Sequence, residues 1–183
     1  MTLPPGQTIL FDYRAQAGLQ SPVTASGSFP AIQPGPDLTL AGPDGPPLFE
    51  VEFFPGSLTI TALRTFTDSA ALDFRWAFTL PATSQLAFSS ATLRSSTLFS
   101  IPPFTFAVEP TVVFDPTTRT ITISRFIAAG VGTAQVNGGG SAVVDFTVVP
   151  EPSAATFFAL LGIPFLLCVR LRRSTGRGRT AFL

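Results

Sequence analysis

Regular alternation of large apolar side chains with other residues is the feature that most constrains this fold. In LDFRWAFTL, residues 72–80, every second residue is a large apolar one. Side chains along a β-strand point to opposite faces in turn, so this pattern predicts a strand with one buried face. A helix would instead need apolar residues every three or four positions.

The same period of two recurs through most of the first 149 residues. FEVEF at 49–53 and LTITA at 58–62 lie on either side of Pro55-Gly56-Ser57, which predicts a hairpin. VVF at 112–114 and TITI at 120–123 flank a segment that opens with Asp and Pro, a favourable start for a type I turn. Further strands are predicted at 8–14, 23–29, 85–88, 91–99, 104–109 and 143–149.

About nine or ten short strands separated by turn residues predict an all-β fold, specifically an antiparallel β-sandwich. A barrel is the alternative that the pattern leaves open. The main loop is expected at IQPGPDLTLAGPDGPP, residues 32–47. No segment before residue 150 has the periodicity of an amphipathic helix.

Composition excludes several kinds of active site. The chain has no His and no Lys, and its one Cys is Cys168. Disulfide frameworks, Cys/His zinc sites, His-based catalytic triads and Lys Schiff bases are therefore excluded. Residues 1–149 contain six Arg and ten acidic residues. This acidic balance argues against nucleic acid as a partner, because phosphate binding needs a basic surface.

The carboxylates before residue 150 offer weak candidates for chemistry. Glu50 and Glu52 alternate on one predicted strand, with their side chains about 7 Å apart on the same face. Such a pair can serve a glycosidase or hold Ca²⁺, but a solvated outer face is the expected role. Asp37, Asp44 and Asp115 each neighbour Pro or Gly, which is typical of turns. We predict no catalytic, cofactor or metal site.

Two other features are interpreted as structural. Trp76 could stack against a sugar if it were exposed, but its place in an apolar strand face predicts a core position. NGGGS at 137–141 has no Lys and no helix after it, so it is expected to be a turn or flexible loop and not a phosphate-binding loop.

The chain ends differently from the way it begins, with VPEPSAATFFALLGIPFLLCVRLRR at 149–173. Pro150 and Pro152 cannot donate to a ladder and so end the last strand. Residues 154–169 contain one polar side chain, and as a helix they would extend about 24 Å, short of the ~30 Å hydrocarbon core. Pro164 would kink that helix.

The order of these parts resembles the PEP-CTERM sorting signal of Gram-negative bacteria, in which a Pro-Glu-Pro motif precedes a short hydrophobic helix and an Arg cluster. The motif corresponds to Pro150, Glu151 and Pro152, and the Arg cluster to Arg170, Arg172 and Arg173. By the positive-inside rule these arginines would keep the C-terminal end in the cytoplasm, with the β domain on the other side. The resemblance covers residues 150–173.

The resemblance implies recognition by an exosortase, a membrane-embedded, transpeptidase-like enzyme that cleaves near the motif. The expected organisation is a β-sandwich domain at 1–149, a sorting signal with a transmembrane helix at 150–173, and a disordered cytoplasmic tail at 174–183. Such proteins normally carry a Sec signal peptide, which MTLPPGQTILFDYR at 1–14 does not resemble. A start codon set too far downstream or a truncated gene would explain this.

We therefore expect a non-catalytic, structural or adhesive protein, without a cofactor, at the cell surface or in the extracellular matrix. It would pass through the inner membrane on its way there. A lectin-like module that binds exopolysaccharide is one alternative, and an unprocessed, C-terminally anchored membrane protein is another. A hydrolase that uses carboxylates alone would need two acids facing each other across a cleft.

Overall fold

The structure, a computed structural model, describes residues 1–102, 104–128 and 133–151, with the side chains of 104–107 excepted. Within these residues the protein is all-β, and its sheets are antiparallel. This confirms the predicted fold class at the level of an all-β, antiparallel protein. The predicted C-terminal helix lies outside the described residues. No helix in the described part of the chain is long and apolar enough to cross a membrane.

Fourteen strands are present in the described residues, more than the nine or ten expected. They are β1 (Thr8–Ala17), β2 (Val23–Pro30), β3 (Leu38–Ala41), β4 (Pro47–Phe54), β5 (Ser57–Ala62), β6 (Phe66–Asp68), β7 (Leu72–Thr79), β8 (Leu86–Ser96), β9 (Phe99–Ile101), β10 (Phe104–Ala107), β11 (Thr111–Asp115), β12 (Thr120–Ile127), β13 (Ala134–Val136) and β14 (Ser141–Pro150).

The strands form three sheets. The front sheet has the order β11-β12-β7-β1-β2, and the back sheet has the order β3-β4-β5-β14-β8. A small sheet has the order β10-β9-β13-β6. Both predicted hairpins are confirmed, since β4 pairs with β5 and β11 pairs with β12.

Alternation determines which face of each large sheet is buried. In β7, Leu72, Phe74, Trp76 and Phe78 are at most 1% exposed. Arg75, which lies between two of them, is exposed. Because directly opposite residues in paired strands share a face, neighbouring strands extend the same apolar surface.

The buried faces of the front and back sheets meet through aromatic rings, in a sandwich-like arrangement. The ring centroid of Phe49 on β4 lies 5.3 Å from that of Phe74 and 5.1 Å from that of Trp76, both on β7, and the rings meet edge to face. Phe53 meets Phe78 in the same way, at 5.3 Å. Edge-to-face pairs of this kind add to the stabilisation that burial of the rings provides. Phe99 of the small sheet also stacks on Phe74, at 5.6 Å.

Two predicted segments differ from the structure. The expected loop at 32–47 contains β3, which pairs with β4 and contributes the buried Leu40. The separate strands expected at 85–88 and 91–99 are largely one strand, β8. Its core-facing residues change from Leu86 and Phe88 to Ala91 and Leu93, which shifts the alternation by one position.

We infer a β-bulge in β8 from that shift and from two hydrogen bonds. The hydroxyls of the adjacent residues Ser89 and Ser90 both contact Thr147 Oγ1, at 2.6 and 2.7 Å. Two consecutive side chains can reach one residue of the neighbouring strand where an extra residue is inserted. The bulge returns the apolar side chains of β8 to the core.

Backbone contacts divide the chain into two units, Met1–Val149 and Pro150–Leu183. All described strands begin in the first unit, and β14 ends at the first residue of the second. We call Met1–Val149 the body. Only Pro150 and Glu151 of the second unit are among the described residues.

Candidate functional site

The start of the predicted sorting motif follows directly from the back sheet. β14 lies between β5 and β8, and it ends at the exposed Pro150. Glu151 comes next and is partly buried. The remaining predicted residues of this segment, Pro152, Arg170, Arg172 and Arg173, lie outside the described residues.

The candidate carboxylate pair lies on the outer face of the back sheet. Glu50 is opposite Thr39 on β3 and Thr61 on β5, and Glu52 is opposite Thr59. The strand residues that pair with the two acids in these registers are therefore threonines. Among the described residues, no group of three or more His, Cys, Asp or Glu could hold a metal ion.

The three loop aspartates make structural bonds. Asp37 accepts hydrogen bonds from the backbone N–H of Gln33, at 3.0 Å, and of Phe53, at 2.6 Å, and so fixes the loop before β3 to β4. Asp44 forms an ion pair with Arg64. These bonds agree with the expected structural role.

Asp115 holds the turn between β11 and β12. Its carboxylate accepts hydrogen bonds from the Thr118 hydroxyl and the Thr117 backbone N–H, each at 2.8 Å. These bonds, with that to the Thr118 hydroxyl the largest contributor, hold the pKa of Asp115 below its ordinary value. Arg119 completes the turn with a φ of 55°.

Trp76 is fully buried, which confirms the predicted core position. Its indole Nε1 has no hydrogen-bond partner, and its ring contacts Tyr13, Phe49, Phe74 and Phe99. It therefore offers no surface on which a sugar could stack. The most exposed aromatic ring in the described part of the chain is that of Phe126, at 62%.

The glycine-rich segment after β13 is a turn, as predicted, and its amides are occupied. Asn137 anchors it by donating from Nδ2 to the Thr97 carbonyl, at 2.8 Å. Gly138 N donates to Thr65 Oγ1, Gly139 N to the Ala62 carbonyl and Gly140 N to the Asn137 carbonyl. Since all three glycine N–H groups have partners within the protein, none is available to bind an anion.

Close packing explains the glycines in this turn. A Cβ on Gly138 would lie 2.7 Å from the Thr65 nitrogen, and one on Gly140 would lie 2.5 Å from the Thr97 oxygen. Gly139 has a φ of 76°, which side-chain-bearing residues rarely adopt. The sequence therefore serves to pack a tight turn against neighbouring loops.

Among the described residues, Arg125 is an unusual charged residue that sequence reasoning missed. It lies on β12 between the buried Ile123 and Ile127, on the face that points into the protein. Its Nη1 donates to the Glu109 carbonyl at 3.0 Å, while its buried Nε has no partner. Burial lowers the pKa of its guanidinium. The sequence signals its inward position only by spacing, since Arg125 continues the alternation of Ile121 and Ile123.

A scan against protein-family models and searches of the curated proteins and of the solved structures each found no match to this chain.

Proposed function

We propose that this chain is an exported, non-catalytic protein that is sorted through its C-terminal segment and has a structural or adhesive role. The observation that carries the proposal is the position of the motif. Pro150 ends an interior strand of the back sheet, and Glu151 follows at once. The described core of the body includes residues up to Val148, so cleavage near the motif would remove none of those side chains.

The bonding of the polar residues supports a non-catalytic role. Asp37, Asp44 and Asp115 stabilise loops and turns, and Asp145 pairs with Arg94 through both carboxylate oxygens. The absence of His and Lys from the sequence leaves carboxylates as the main candidates for acid–base catalysis. The four aspartates named above already bind to partners within the protein, which favours a structural role for them over acid–base catalysis.

The remainder of the proposal rests on the sequence of the C-terminal segment. Residues 154–169 would form one short hydrophobic helix after the β-sandwich body, with Arg170, Arg172 and Arg173 on its cytoplasmic side. The partners are then an exosortase-like membrane transpeptidase and the inner membrane, and the destination is the cell surface or extracellular matrix. We expect exopolysaccharide to surround the protein at that destination.

Carbohydrate binding by the body is a less supported alternative. The two most exposed aromatic rings in the described residues are Phe126, at 62%, and Phe54, at 40%. Phe126 lies on β12 of the front sheet and Phe54 on β4 of the back sheet, so the two rings do not form one stacking surface.

Mass spectrometry of the mature protein tests the proposal. The chain, with a Sec signal peptide added, would be produced in a host that has an exosortase and in the same host without it. We expect loss of the residues that follow the Pro-Glu-Pro region only in the first host. A triple substitution, Pro150→Ala with Glu151→Ala and Pro152→Ala, should abolish the cleavage, and Glu109→Ala should not affect it.

A mature form that retains Arg170 and the residues after it in the exosortase-containing host would overturn the sorting proposal. That outcome would leave an unprocessed C-terminal anchor as the explanation of the hydrophobic segment.

A further inference from the structure

β2 is an edge strand that lacks the usual protection against pairing. It is the outermost strand of the front sheet and pairs with β1 over eight consecutive positions, from Val23↔Ala15 to Pro30↔Thr8, without a shift in register. Its sequence, VTASGSFP, has no charged residue, and its one proline is the last residue. One side of this regular strand therefore presents backbone donors and acceptors to a potential partner.

The other edges of the two large sheets each carry a protective feature. β3 has four residues and an irregular register against β4. β8 has the bulge at Ser89 and Ser90 and carries the charged Arg94. β11 has five residues and lies against β8. Short strands, bulges, charges and covering elements all prevent edge-to-edge association. Along residues 23–29, β2 has no charge, no proline and no shift in register, and its contact with β3 is smaller than that of β11 with β8.

We propose that β2 pairs in antiparallel fashion with β2 of a second copy of this chain, which joins two front sheets into one continuous sheet. The interaction is isologous, since the same strand serves both partners. It is a property of the body alone and does not depend on the sorting proposal.

The geometry of the strand selects one register. Residues that lie opposite each other in the two β2 strands must point to the same face of the joined sheet. The two-fold axis that relates the two copies must therefore pass through a residue position and not between two residues. An axis at Ala25 pairs only residues 23–27. An axis at Gly27 places Pro30, which has no N–H, within the paired run. An axis at Ser26 pairs all of residues 23–29 and leaves Pro30 outside.

The side chains complement one another in this register. Ser26 faces Ser26 of the second copy, and Thr24 faces its Ser28, so hydroxyl groups meet on the outer face. On the inner face Val23 meets Phe29, an apolar pair. No charge faces another charge, so pairing meets no electrostatic repulsion along the strand.

The neighbouring strand supports the edge for this contact. A Cβ placed on Gly27 would lie 3.3 Å from Phe11 Cε1, so the Phe11 ring covers the gap that the glycine leaves. Phe11 also contacts Phe29, with ring centroids 5.8 Å apart, and is itself only partly buried. Pairing at β2 would bring a second apolar edge to this partly buried ring.

Cysteine cross-linking tests both the pairing and its register. The full chain would be used in mild detergent with Cys168→Ser in every variant, so that one engineered thiol is present. Facing residues of antiparallel strands have Cα atoms about 4.5–5.5 Å apart, within the range that a disulfide spans. We expect mild oxidation to convert Ser26→Cys to a covalent dimer and to leave Ser28→Cys monomeric.

A mixture gives the second half of the test. Thr24→Cys and Ser28→Cys should each stay monomeric alone and form a mixed disulfide together. Thr122→Cys, on the outer face of the interior strand β12, is the matched control for random collision. Equal cross-linking of Ser26→Cys and Thr122→Cys, or self-cross-linking of Ser28→Cys without that of Ser26→Cys, would overturn the proposal.

A charge at the edge provides an independent measurement. We expect Ser26→Lys to raise the dimer dissociation constant at least tenfold by native mass spectrometry, and Thr122→Lys to leave it unchanged. The fluorescence of Trp76, the single tryptophan, verifies that each variant is folded. A protein that remains monomeric without any substitution at β2 would also overturn the proposal.

Discussion

Tyr13 links the front sheet to the edge of the back sheet. Its ring is 1% exposed and contacts Phe49 and Trp76, while its hydroxyl donates to the Ala41 carbonyl at 2.8 Å. Burial raises the pKa of Tyr13 well above its ordinary value of about 10, because the phenolate would be desolvated. It is the single tyrosine of the chain, so its ionisation can be observed without interference from another.

Alkaline pH should therefore destabilise the protein through Tyr13. Above pH ~10 the unfolded chain releases the phenolic proton and the folded chain retains it, so the free energy of unfolding should fall by about 1.4 kcal/mol per pH unit. The sequence has no Lys to titrate in the same window. Urea unfolding between pH 8 and pH ~11.5 measures this, and absorbance near 295 nm reports the tyrosinate.

Tyr13→Phe is the control for this effect. It should cost about 1 kcal/mol at neutral pH because the Ala41 carbonyl loses its partner, and it should remove most of the loss of stability above pH ~10. Appearance of tyrosinate at pH ~10 in the folded wild-type protein would contradict the expected pKa direction.

Single residues differ in how well the sequence reveals them. The buried position of Trp76 follows from the alternation in β7, and the turn role of Asp115 follows from the proline after it. The inward position of Arg125 does not follow from the sequence, because arginine is rarely buried and so is expected to mark the end of a buried strand face. Its hydrogen-bond acceptor, the Glu109 carbonyl, lies before β11, on the far side of the β11–β12 hairpin. The pairing of β11 with β12 brings the two residues together, and alternation along one strand does not show it.

At the scale of elements, β8 shows why one strand was predicted as two. A period-two pattern cannot represent an inserted residue, so the bulge at Ser89 and Ser90 resembles a break between two strands. The strands β6, β9 and β13 have only three residues each, too few to establish a period. Pairing between distant parts of the chain stabilises such short strands, and their own sequence does not reveal it.

Deletion of a residue tests the bulge. Removal of Ser90 should cost only about 1 kcal/mol, because Ser89 keeps its contact with Thr147 and the core-facing residues of β8 regain a regular alternation. Removal of Ser124 from β12 should cost about 3 kcal/mol or more, because it reverses the faces of the residues that follow, including the buried Ile127. Denaturant unfolding compares the two deletions. Equal losses would show that β8 has no tolerated extra residue.

At the scale of the whole molecule, the position of β14 relates the body to the proposed sorting segment. β14 is the last described strand of the chain, yet it lies inside the back sheet, between β5 and β8. It contributes four buried side chains: Ala142, Val144, Phe146 and Val148. If the chain is cleaved beyond the body, the product must keep this strand. The motif that begins at Pro150 meets this need, because it comes after the last of these four side chains.

Two truncated chains test whether the body is complete at the motif. A chain that ends at Glu151 keeps all of β14, so we expect its free energy of unfolding to match that of the full chain within about 0.5 kcal/mol. A chain that ends at Gly140 loses an interior strand, which leaves β5 and β8 without their shared partner and exposes part of the core. We expect it not to fold cooperatively. Circular dichroism and urea unfolding measure both chains, and a large loss of stability in the longer one would mean that residues after Glu151 belong to the fold of the body.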